Sequence, residues 1–318
     1  MWLRTIIRLN WFIGGCAMIP PLADIVNIPT GITLVSGKDA RTHLNRMLTV
    51  DVSSDSLLTR KESFICDLNG RITTYQLHVD LDEQILLFHN DSMSEILRKT
   101  LTRGIPWNEE IEISSGDGAV QRILIYGKQP EKILAGLGIN QAQLQSGHWT
   151  EFLDTMISVI KIEDEFSIYE MIIPSRDYSE ITDLLHVNGA GIGEVHSAIA
   201  LLSIAGMIDY SIDVSGHIPF NLGLQRLVDL KKGCYPGQEI HARMESRDGI
   251  KKSTSTFKTN VQMRLGKSKS TNNDQLEIIS SQRFGDSWIN VLIHPKEISL
   301  SSEILVNTPE GEIALKSV

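Results

Sequence analysis

The sequence predicts an α+β fold: two successive α+β sandwiches followed by a small all-β domain. Three observations point to it. Strand-like and helix-like runs recur twice in the same order. After Lys252 the sequence shifts to short alternating runs. A chain of 318 residues has room for two or three domains and a sizeable core.

The elements follow in order. Gly31-Ile32-Thr33-Leu34-Val35 reads as a strand, and Gly37-Lys38-Asp39-Ala40 opens a helix to about Leu48, with Leu44, Met47 and Leu48 on one face. Ser63 to Asp67 and Ile72 to Asp80 read as strands joined at Leu68-Asn69-Gly70, where Asn-Gly signals a hairpin. Gln84 to Phe88 is a strand and Asp91 to Leu101 a helix. In the second unit Gln121 to Tyr126 is a strand, Pro130 to Leu137 a helix, Thr155 to Lys161 and Ser167 to Ile173 strands, and Ser179 to Leu185 a helix. Gly189-Ala190-Gly191-Ile192-Gly193 has its third glycine one residue too early for a dinucleotide loop, and reads as the approach to a helix from Glu194 to Ile204. The polar stretch from Gly266 to Asn273 reads as a loop.

The net charge of −9 argues against a general nucleic-acid coat. Cys16, Cys66 and Cys234 are far apart, and no Cys/His spacing suits a metal site held by this chain alone. Such sparse cysteine use fits a reducing, cytoplasmic setting. The apolar run Trp2 to Met18 is broken by Arg4, Arg8 and Asn10 and is too short for a membrane span. Ile13-Gly14-Gly15-Cys16 leaves a lipoprotein signal open. The expectation is an extension over 1–17 with Met18 as the true start, a core over 18–252 and a β domain over 253–318.

One run carries most of the chemistry: Lys232-Gly233-Cys234-Tyr235-Pro236-Gly237-Gln238-Glu239, then Ala242-Arg243. Pro-Gly is a turn dipeptide, and Gln238 to Met244 reads as a helix with acidic Glu239 in its first turn. Cys234 is then expected just before free helix amides and near Lys231, Lys232 and Arg243, a setting that favours the thiolate. The plainer alternative is a small buried hydrophobe. Between Lys231 and Lys252 six Lys/Arg stand against three acids, either a basic rim for an anionic tail or an ordinary solvated stretch.

This run resembles the signature of the YgfZ family, folate-binding proteins related to the T-protein (aminomethyltransferase, GcvT) of the glycine cleavage system. Ser36-Gly37-Lys38-Asp39-Ala40, Leu48-Thr49-Val50-Asp51-Val52, Cys66-Asp67-Leu68-Asn69-Gly70-Arg71, Ala205-Gly206 and Ile218-Pro219 agree in order, so the resemblance covers roughly Met18 to Lys252. It implies a ring of ferredoxin-like α/β sandwiches with a small C-terminal β-barrel and tetrahydrofolate or a derivative in a central channel. It also implies a role in assembling or repairing iron–sulfur client proteins, including enzymes of tRNA modification. Cys234 would be required, as nucleophile, transient cluster ligand or redox thiol. Lys232, Gly233, Tyr235, Gly237, Gln238, Glu239 and Arg243 would form its loop, and Asn90 and Tyr169 are candidate folate contacts or ordinary sheet residues.

Two departures stand out. Arg71-Ile72-Thr73-Thr74-Tyr75 lacks the acidic pair that aminomethyltransferases carry there, so acid/base chemistry at the folate nitrogen is unsupported. Ile204 stands where the family has a Glu that accepts hydrogen bonds from the pterin ring. A folate-dependent one-carbon transferase and a scaffold that has lost folate are the competing readings.

Overall fold

The computed structural model describes residues 22–53, 56–162, 166–246, 249–298, 304–308 and 311–318. The readings of residues 1–17, Cys16 and Met18 fall outside these.

Among the described residues the first element is β1 (Ala23–Asn27), which skips the first unit altogether. That unit holds β2 (Gly31–Ser36), α1 (Ala40–Met47), β3 (Arg60–Cys66), β4 (Ile72–Asp80) and β5 (Gln84–His89). It is completed by α2 (Ser94–Arg103), preceded by a single 3₁₀ turn, and by β6 (Glu112–Ser115). The antiparallel sheet runs β3-β4-β5-β2-β6. Leu44 and Leu48 join Leu97 and Leu101 of α2 in one core with Val35, Ile65 and Leu87, so the apolar stripe of each helix covers one face of the sheet.

The second unit comprises β7 (Val120–Gly127), α3 (Pro130–Gly136), β8 (Thr150–Phe152), β9 (Thr155–Ile162), β10 (Ser167–Pro174), α4 (Tyr178–Val187) and β11 (Ala190–Ile192). Its sheet runs β11-β1-β7-β10-β9-β8, with β1 antiparallel to β7 and parallel to β11. Two self-contained units were expected; instead the five residues of β1, too few to read as a strand by pattern, stitch the start of the chain into the second sheet. Helices α3 and α4 cover one face. α5 (Val195–Ile204) lies on the other, apolar nearly all round because it packs between this sheet and the C-terminal one.

After α6 (Gln238–Ser246) come β12 (Lys252–Thr259), β13 (Gly266–Lys269), β14 (Gln275–Phe284), β15 (Ser287–Pro295), β16 (Ile304–Thr308) and β17 (Gly311–Ser317). The order is β13-β14-β15-β12-β17-β16, and a bridge between Ser270 and Val306 nearly closes it into a barrel. The expected loop at Gly266 to Lys269 is therefore a strand. Its residues are polar because it forms an edge of the barrel, only half covered by β14.

One core joins all three sheets: Phe64, Tyr75 and Leu77 meet Ile172, Tyr210 and Leu227, together with Val291 and Ile293 of β15.

Candidate functional site

The loop from Asp229 to Gly237 is tied down on both sides of Cys234. The Asp229 carboxylate accepts the amides of Lys231 and Lys232, at 2.8 and 3.2 Å, an Asx turn. The Asp229 amide donates to the Thr49 carbonyl, and the Thr49 hydroxyl donates to the Leu227 carbonyl. Lys232 Nζ donates to the carbonyls of Asn45, Leu48 and Val50 at 2.5, 2.7 and 2.7 Å. It also lies 5.5 Å from the centre of the Tyr235 ring. Burial pulls its pKa down to about 8.

Beyond the cysteine, Tyr235-Pro236-Gly237-Gln238 closes a turn by a bond from the Gln238 amide to the Tyr235 carbonyl. Gly237 has φ of 84°, as a type II turn requires of its third residue. That bond occupies one helix amide that the sequence reading left free. Gln238 Nε2 donates back to the carbonyls of Leu230 and Lys232, joining the two limbs of the loop.

The turn rests on the β3–β4 hairpin. A side chain at Gly237 would lie 2.6 Å from the Asp67 carbonyl oxygen and from Gly70 Cα. His241 is fully buried, with Nε2 2.8 Å from the Gly70 carbonyl and Nδ1 3.3 Å from the Tyr235 hydroxyl. Burial lowers the histidine pKa, which keeps it neutral. Nε2–H then donates to Gly70, and Nδ1 accepts from tyrosine.

Cys234 itself is free and exposed. Cys66, at the end of β3, is buried, and burial pushes its thiol pKa up. The expected basic rim is thinner than its letters suggest. Lys232 is committed to α1, and Arg243 pairs with Glu239 across one turn of α6. Gly233 has open space around its Cα and an ordinary φ, so nothing there requires glycine.

The two candidate folate contacts lie elsewhere. Asn90 donates to the Ser211 carbonyl and accepts from the amide and hydroxyl of Ser92, so its side chain caps the turn before α2. Tyr169 is fully buried on the helix-covered face of its sheet, among Ile133, Leu134 and Leu185. Strand alternation puts its neighbour Glu170 on the other face.

That other face holds a feature the sequence reading missed. Arg122 Nε donates to Glu170 at 2.6 Å, and its two terminal nitrogens donate to Asp209 at 2.9 and 2.5 Å. The guanidinium carbon sits 4.0 Å from the Tyr210 ring centre, and the Tyr210 hydroxyl donates to Glu170. Arg60 bridges Glu170 to Glu62, and Glu62 accepts from Tyr75 at 2.7 Å. The available signal was a lone charge in each of two otherwise apolar strands, Arg122 in β7 and Glu170 in β10.

Burial opposes the charge on Glu170 and Asp209, yet the arginines overcome it and hold both below their ordinary values of 4.5 and 3.8. A carboxylate with a depressed folded pKa stabilises the fold above its unfolded pKa and loses that contribution as pH falls. Unfolding free energy should therefore hold between about pH 7 and 5 and fall steeply below about 4, measured by urea titration at each pH.

Two α+β sandwiches beside a near-closed barrel form a fold shared with an aminomethyltransferase T. The structure matches glycine cleavage system aminomethyltransferase T from Bartonella henselae with a TM-score of 0.77, covering 94% of this chain and 85% of that one at 16% identity. By sequence, the chain is 24% identical over 220 residues to the tRNA-modifying protein YgfZ of Buchnera aphidicola subsp. Baizongia pistaciae (strain Bp). That match takes in 66% of this chain and 65% of the relative, just under two thirds of its length. A heterotetrameric sarcosine oxidase from Corynebacterium sp. U-96 reaches a TM-score of only 0.35. No family model matches. The resemblance to a YgfZ protein is borne out in sequence and the likeness to the T-protein in fold, and so is the α+β fold with a C-terminal barrel.

Proposed function

We propose that this is a YgfZ-type accessory protein that acts on iron–sulfur client proteins, among them enzymes of tRNA modification, through the thiol of Cys234. The observation that supports it most is the contrast within the loop. The anchors on either side of the cysteine are bonded to other elements, while the thiol between them faces solvent. A packed cysteine needs no such setting. The cytoplasm is the working compartment in this reading. Among the described residues, no helix is long and apolar enough to cross a membrane.

The fold supports a folate-related ligand in general, but the residues do not fit a pterin anchored on a carboxylate. Ile204, half-buried at the end of α5, offers no acceptor. The buried carboxylates Glu62, Glu170 and Asp209 are already held by arginines. A buried pterin donor left without an acceptor costs on the order of 1–3 kcal/mol. The aminomethyltransferase reading is weaker still, because Thr73 and Thr74 stand where its acids belong.

Replacing Cys234 with Ser should reduce the activity of a labile-cluster client at least about 10-fold in cells lacking the native protein, since serine supplies no thiolate near neutral pH. Undiminished activity would remove the thiol from the mechanism. Anaerobic calorimetry with tetrahydrofolate separates the cofactor question. Binding near micromolar means another anchor replaces the carboxylate, whereas none at about millimolar leaves a folate-free factor or scaffold.

A further inference from the structure

We propose that Lys232 is the positioning residue of this site: by holding three carbonyls at and just after the end of α1 it fixes where the Cys234 thiol stands. The inference deepens the reading of Cys234 as the working group and rests on it.

An ammonium has three N–H donors and no acceptor. Here three carbonyl oxygens, those of Asn45, Leu48 and Val50, lie within 2.7 Å of Nζ. The first two belong to the carbonyls that a helix leaves without partners at its C-terminal end, where a cation also meets the negative pole of the helix dipole. One side chain from the loop thus caps a helix more than 180 residues earlier in the chain. The charged groups around it are Asp51 just after α1, Asp229 on the loop and Lys61 on β3, with Lys61 Nζ itself donating to the Asp51 carbonyl.

With its three donors spent, Lys232 has none left for the sulfur two residues on. Its action on Cys234 therefore passes through the backbone. Lys232 fixes the near side of the cysteine, and Tyr235, buried and bonded to His241, fixes the far side.

The test places a nitroxide on Cys234 in the full chain carrying Cys16→Ser, Cys66 being buried. It compares Lys232 with Lys232→Met and Lys232→Arg. In the Met variant the label should become mobile, and amides of residues 229–235 should exchange about 10-fold faster or more. Arginine, which keeps the charge and several donors, should restore part of the order. The pH–rate profile of Cys234 alkylation by iodoacetamide should stay in place in the Met variant. A shifted profile with an immobile label would overturn the proposal and make Lys232 an electrostatic partner of the thiol. Unchanged exchange and mobility would overturn it as well. Should the Met variant fail to fold, Lys232→Gln, with two donors and no charge, carries the same comparison. These readouts do not depend on client activity. A fully active Cys234→Ser variant would sink the functional reading while leaving the label and exchange results to be judged separately.

Discussion

Arg122→Met should cost about 3–5 kcal/mol of stability, the penalty for removing one partner from a buried ion pair. Methionine fills much of the arginine volume, so little of that loss would come from a cavity. The loss is electrostatic. Asp209, 7% exposed, would keep only Ser211, through its amide and side chain, and Glu170 would keep Arg60 and Tyr210. Urea unfolding followed by tryptophan fluorescence measures it. Removing the stranded charge as well, in Arg122→Met with Asp209→Leu, should recover a large part of the loss, because matched apolar groups often replace a buried pair at little cost. A loss below about 1 kcal/mol in the single variant would mean that the network behaves like a solvated surface pair.

Gly237→Ala should destabilise by about 2–4 kcal/mol, combining the left-handed backbone cost with overpacking. The φ of 84° suits glycine alone, and the new Cβ would press into backbone atoms of Asp67 and Gly70, which no rotamer change can clear. The turn must then lift from the hairpin, straining the bond from His241 to Gly70 and moving Cys234 with it. Thermal unfolding gives the stability, and hydrogen exchange at the hairpin shows whether the seat has opened. Gly233→Ala is the matched control. It has open space and an ordinary φ, so its effect should stay within about 0.5 kcal/mol.

The contrast between these two glycines shows what the sequence could and could not convey. Pro236-Gly237 named its own turn type, and Ile72 to Asp80 was legible to the residue because alternation and the Asn-Gly turn agreed. Gly233 looked equally necessary in the letters, yet only three dimensions show what lies beside a Cα. Lys232 was legible as a charge near the cysteine, but its partners are backbone carbonyls at positions 45–50, which no side-chain pattern encodes. Tyr169 and Glu170 are adjacent letters on opposite faces, and choosing between them needs the register of the sheet. Arg122 and Glu170 escaped notice because each is the lone charge in its strand, while their charged partners are 48 to 110 residues away.

The placement of β1 between β7 and β11 bears on how the chain reaches its final form. During synthesis β1 leaves the ribosome before either of its partners; it can pair with β7 only once Gly127 has followed, and its far edge stays open until β11 has followed as well. The first sandwich can assemble in the meantime, whereas the second stays incomplete. A fragment beginning at β2 would leave β7 and β11 facing an empty lane, both open to strand pairing with another copy. Removing β1 would therefore damage the second sandwich, whose own strands start only at Val120, and spare the first.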